Sequence, residues 1–200
     1  MSAARTTGPR STTTPVLPSV AGAGRSPDAL DWAVWGLLLV AAAGTVALMF
    51  APVVLEGTRL AWLSAALRDG WAPLCHQQAS RSFHVGGVPL LACARCTSIF
   101  AGATAGVVVA PLVGLVGRVR LPPRWLLAAA LVPMALDAGL GIVGAWEGPM
   151  VTRAATGALA GFVAALFLVP GSARAAREIF AVRGKRSRTF ASSEGARTGG

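Results

Sequence analysis

All three cysteines and both histidines of this 200-residue chain lie between positions 75 and 96. Cys75 adjoins His76, and Cys93 and Cys96 form a C-x-x-C. Three thiolates and an imidazole make a common tetrahedral zinc set, so Cys75, His76, Cys93 and Cys96 are a candidate metal site. Adjacent Cys and His side chains rarely both reach one ion, which makes three ligands plus a water the variant of that set. The same residues admit thiol–disulfide exchange. A C-x-x-C that opens a helix has a lowered thiol pKa, and the odd count suits a pair plus one exchange thiol. A third reading is a static disulfide that pins a loop, with His76 merely hydrogen-bonded. The residues alone leave all three open. His84, in a short β-type run, reads as a surface or interfacial histidine.

A second set of residues could handle charge. Asp137 is the single acidic residue deep inside a long apolar run, where an ionisable group is expected to face protein and find a partner. Arg95 and Arg153 open two neighbouring apolar runs. A pair between Asp137 and Arg153, or between Asp137 and Arg95, would close a polar pocket next to the Cys/His residues. These three are the candidate catalytic residues. The blander reading has Arg153 reaching headgroups and Asp137 bonded to Thr156 or a water.

The elements that must position these groups follow from composition. Hydrophobic residues make up 54% of the chain, charged residues 13%, and the mean hydropathy is +0.62. Soluble domains carry roughly twice that share of charge, so the pattern is that of an integral membrane protein. Four runs approach the roughly 20 apolar residues that a spanning helix needs. They predict spans at about 32–54, 94–117, 125–146 and 151–171. The expected fold is an all-α membrane protein: four transmembrane helices over 30–173, with a Cys/His hairpin loop outside the membrane between helices 1 and 2. Gly86-Gly87 between two short β-type runs predicts the hairpin turn. Residues 60–68 suggest a short interfacial helix before it. Segment 1–29 and tail 174–200 read as largely disordered.

The net charge of +10 comes from 18 basic against 8 acidic residues. The basic residues flank the apolar runs and crowd the C-terminus, with no aromatic-interleaved basic patch, so a lipid bilayer is the expected partner rather than nucleic acid. Thirteen of the 18 fall before span 1, between spans 2 and 3, or in the tail. The positive-inside rule then places both termini of a multi-pass cell-membrane protein in the cytoplasm. Gly102-x-x-x-Gly106 and Gly157-x-x-x-Gly161 would let spans 2 and 4 pack closely. No phosphate-binding loop, nucleophile elbow, H-E-x-x-H or dinucleotide fingerprint is present.

The chain resembles a family of small prokaryotic membrane proteins, domain of unknown function 2085. The resemblance is carried by C-H-Q-x-x-x-R-S-F (Cys75, His76, Gln77, Arg81, Ser82, Phe83) and P-L-x-x-C-x-R-C (Pro89, Cys93, Arg95, Cys96). P-M-A-x-D (Pro133, Met134, Ala135, Asp137) and R-x-x-T-G-x-x-x-G (Arg153, Thr156, Gly157, Gly161) extend it to about residues 60–170. Ser98 departs from a glycine frequent in that family. The resemblance implies a multi-span fold and marks these residues, but no reaction. The expected function is a zinc-type site beside an Arg/Asp pocket. Such a site would suit a metal-assisted hydrolase or transferase acting on an anionic, lipid-like membrane substrate. A membrane thiol–disulfide oxidoreductase and a non-catalytic scaffold are the alternatives.

Overall fold

The computed structural model describes residues 26–118, 121–146 and 148–198, with side chains through Val182. Most of the segment expected to end at residue 29 therefore lies outside the described residues. Helix α1 (Ala29–Met49) starts at a reciprocal cap: Asp31 N–H donates to the Asp28 side chain at 3.0 Å, and Asp28 N–H donates to the Asp31 side chain at 3.1 Å. It stops short of residue 54 because Pro52 opens a separate short helix, α2 (Ala51–Leu55). Helix α3 (Ala61–Trp71), a 3-10 turn at Ala79–Arg81 and a hairpin of β1 (His84–Val85) with β2 (Val88–Pro89) follow. The strands pair antiparallel, His84 with Pro89 and Val85 with Val88. Gly86 and Gly87 both take positive φ (58° and 83°), which a two-residue turn of the primed type requires.

Three further helices complete the chain: α4 (Ala94–Val109), α5 (Arg124–Ile142) and α6 (Met150–Thr198). Among the described residues, three helices are long and apolar enough to cross a membrane: Ala29–Met49, Arg124–Ile142 and Met150–Val182. Within the span expected at 94–117, helix α4 ends at Val109, because Pro111 has no N–H to continue the ladder. Helix α6 continues past the expected end of the fourth span, to Thr198. Residues 174–182 contain no Gly or Pro, and Arg174 pairs with Glu178 one turn on, at 2.9 Å.

Helices α1, α4 and α6 form the centre, and α5 packs against α6. Helix α4 lies antiparallel to α1. Leu91 N–H donates to Met49 O at 2.9 Å at one end, and Trp35 Nε1 donates to Val107 O at 2.8 Å at the other. The second bond has a local cause. Val107 O would ordinarily accept from the N–H of residue 111, which is proline, so the indole supplies the missing donor. Trp35→Phe should therefore destabilise the protein by about 1–3 kcal/mol. In a Pro111→Ala background the loss should shrink, as thermal unfolding in detergent would reveal. Equal losses in both backgrounds would refute this account.

Helices α4 and α6 run parallel and touch through their glycines. A Cβ on Gly157 would sit 2.6 Å from Arg95 O, and one on Gly106 would sit 2.7 Å from Phe162 O. Gly102 lies against Ala158 O and Gly161 against Ile99 O in the same way. Both small-residue motifs are thus spent on one interface, and that contact sets Arg95 beside the start of α6.

Candidate metal centre and charged cleft

The thiols sit at one end of the α1–α4–α6 core. Cys75, Met49, Leu91 and Ala92 are buried in one apolar cluster, with Leu67, Trp71, Cys93, Cys96 and Phe100 packed against it. The end of α3 closes this cluster, and Trp71 meets Phe100 edge to face at 5.9 Å. The hairpin is tied down by Arg68, whose guanidinium donates to Pro89 O at 2.9 Å. Between Cys75 and the hairpin the chain turns through Gln77, whose φ is +49°. A left-handed conformation costs a non-glycine residue about 1–2 kcal/mol. Gln77 holds it by donating from Nε2 to Arg68 O at 2.6 Å.

Cys93 caps α4 and Cys96 lies in its first turn, so the helix start presents both sulfurs on one side. Cys93 N–H donates to Cys75 Sγ at 3.3 Å, which brings the third sulfur in from the loop. The three Sγ atoms lie within 4.8 Å of one another, all three cysteines are free thiols, and together they could hold a metal ion. The thiolate is the form that ligates metal and attacks disulfides.

His76 does not join this group. Cys75 is buried whereas His76 is exposed, and it lines the adjoining cavity instead. Neighbouring side chains on an extended segment point in opposite directions, which separates the pair. The expected set of four ligands therefore converges as three. His84 is exposed on β1, its Nδ1 3.0 Å from Ser82 O, and stays outside the thiol group. Of the other motif residues, Ser82 is buried, its hydroxyl donating to Gln78 O at 2.9 Å, and Phe83 O accepts from Leu90 N–H in the hairpin. Arg81 lies in the 3-10 turn.

The charged residues stand beside the thiols. A cavity of about 480 Å³ is bounded by Cys75, Cys93 and Cys96 on one side and by Arg81, Arg95 and Arg153 on another. A second, of about 700 Å³, shares Gln78, Arg81 and Arg153 with it, so the two make one cleft. Arg95 pairs with Asp137, joining α4 to α5. Of the two partners considered for Asp137, the structure selects Arg95. Thr156 is not a third, since its hydroxyl donates to Thr152 O. Asp137 Oδ2 takes the Arg95 bond, while Oδ1 faces Gly148, where an added Cβ would lie 2.6 Å from Oδ1 and from Trp146 Nε1. Gly148, Trp146 and Gln78 were not legible as site residues. The one available signal was the Gly-Pro pair opening α6, which marks a tight entry without saying what it encloses. Arg153 has a buried Nε without a partner and no ion pair among the described residues.

The profile of a family described as "Predicted membrane protein (DUF2085)" matches residues 75–167, which contain the thiols, the three arginines and Asp137. An uncharacterised protein of Methanocaldococcus jannaschii is 32% identical over 109 residues, covering 54% of this chain and 70% of its own length. No solved structure matches the chain.

Proposed function

We propose, from the premise that the chain belongs to the predicted membrane-protein family of domain of unknown function 2085, that it carries a zinc-type thiolate centre serving an anion-binding cleft. The observation behind this reading is the convergence of three free thiols from two separate segments beside an arginine-lined cavity. Cys75, Cys93 and Cys96 would hold the ion and leave one position toward the cleft, as catalytic zinc sites do. A water would take that position, with His76 on the cavity wall beside it. When bound, the ion supplies Lewis-acid polarisation of a substrate oxygen. Arg153 would take the substrate's negative group, while Arg95 fixes the Asp137 carboxylate beside it. The reaction class that fits is a metal-assisted hydrolysis or transfer on an anionic membrane substrate.

Elemental analysis of the full chain, purified without chelators, should find about one zinc per chain. Cys75→Ser, Cys93→Ser and Cys96→Ser should each lose it, and His84→Ala should keep it. Metal-free protein with one disulfide and one thiol would overturn this reading in favour of thiol–disulfide exchange.

Four membrane crossings and cytoplasmic termini belong to the same proposal. Helix α4, with 16 residues, is about 24 Å long, short for a span. Its flanks Leu90–Ala92 and Leu115–Val116 are buried in protein, the condition under which non-helical backbone is tolerated at membrane depth. Arg177 of α6 pairs with Asp31 at the start of α1, so these two ends share a side. An even number of crossings would then separate them, and α4 would be the fourth. The distribution of basic residues makes that side cytoplasmic. A reporter active only outside the membrane, fused after Gly184, should be silent. A strong signal from it would reverse the orientation.

A further inference from the structure

The cleft has two chemically different walls. One carries Arg81, Arg95 and Arg153. Arg95 is taken by Asp137. The Arg153 guanidinium, with its buried Nε, meets no carboxylate among the described residues. An anion in the cleft would give that guanidinium a charged partner. The other wall is apolar. Leu74 and Ile142 line the same cavity while 71% and 85% exposed, and Ile142 ends α5, whose Val132, Leu136 and Leu140 also point outward. On a membrane-spanning helix that outward face meets lipid chains.

We propose that the cleft binds an amphiphile with a phosphomonoester head. The phosphate sits between Arg81 and Arg153, and the chain leaves past Leu74 and Ile142 into the bilayer. A phosphomonoester carries close to two negative charges, one for each of Arg81 and Arg153, neither of which forms an ion pair among the described residues, whereas a phosphodiester or carboxylate carries one. Gln78, shared by both halves of the cleft, adds a neutral amide for the phosphate oxygens. This inference deepens the anionic-substrate half of the reading above and rests on it. It does not depend on the metal.

The test uses the full chain in phosphatidylcholine nanodiscs, titrated with dioleoyl phosphatidic acid or dioleoyl phosphatidylglycerol, with bound lipid counted by native mass spectrometry. One phosphatidic acid per chain should be retained about tenfold more tightly than phosphatidylglycerol. Arg153→Gln and Arg81→Gln should each remove that preference. Arg81 is on an exposed loop, so its variant carries the test if Arg153→Gln fails to fold. Equal retention of the two lipids, or an unchanged preference in folded Arg81→Gln, would overturn the proposal. Displacement of the lipid by an equal concentration of inorganic phosphate would overturn it too, by showing a free-anion site without a chain portal. Zinc content and lipid preference, both measured on the unsubstituted chain, separate the two readings. Lipid preference without metal leaves this proposal standing while the metal reading fails, and metal without lipid preference does the reverse.

Discussion

Asp137→Ala and Arg95→Ala each lower thermal stability in detergent sharply, and the double variant loses little more than either single one. That is the expected result for a pair whose Asp137 side chain is 8% exposed and whose Arg95 side chain is 26% exposed. Removing one partner strands the other charge, a loss of roughly 3–5 kcal/mol for a fully buried pair. Arg95's residual exposure puts the figure here toward or below the lower end. Arg153→Ala should change stability little, because it removes a cation that has no partner, and combined with Asp137→Ala it should be additive within about 0.5 kcal/mol. Asp137→Asn keeps shape and should lie between wild type and Asp137→Ala. Additive losses for Arg95→Ala and Asp137→Ala would mean that no such pair operates.

The second large effect belongs to the α4–α6 interface. Gly161 has no room for a methyl group, since its Cα rests against the backbone of Ile99 and the amide of Ala103. Backbone cannot swing aside as a side chain can, so Gly161→Ala must part the helices and disturb Arg95 with them. A destabilisation of about 1–3 kcal/mol or more is expected. Gly139, within α5, has nothing within 4 Å of where its Cβ would be. There the same change should stabilise by about 0.5–1 kcal/mol. Unfolding of the two variants side by side reads both signs. A stabilised Gly161→Ala would show that the two helices do not make this contact.

What was legible in the sequence was local. The apolar runs placed the helices because lipid leaves a backbone no other partner, and Gly86-Gly87 placed the hairpin because both positions need positive φ. The C-x-x-C announced two sulfurs at one helix start. What was not legible depends on pairing across the chain. Whether Asp137 meets Arg95 or Arg153 is decided by how α5 leans on α6, and both arginines open helices at the same end. His76 was counted with Cys75 because adjacency in sequence resembles proximity, but the burial of one and the exposure of the other separate them. The end of α4 was readable from Pro111, yet the apolar run continuing to residue 117 masked it. Asp31 escaped notice as a site of pairing because it stands at a helix start, where a capping role already accounts for it.

The contact between Asp31 and Arg177 also sets a clock on biosynthesis. The two residues are 146 positions apart, and synthesis proceeds at about 5–20 residues per second, so roughly 7–30 s separate the emergence of the carboxylate from that of its guanidinium. Throughout that interval the first helix carries an acid whose partner has not been made. The Asp31 side chain, fully buried in the finished protein, must wait at the water-exposed rim of the membrane. Helix α1 therefore enters the bilayer before α4, seats on it through Trp35 and Leu91, and gains its charged partner only when α6 arrives.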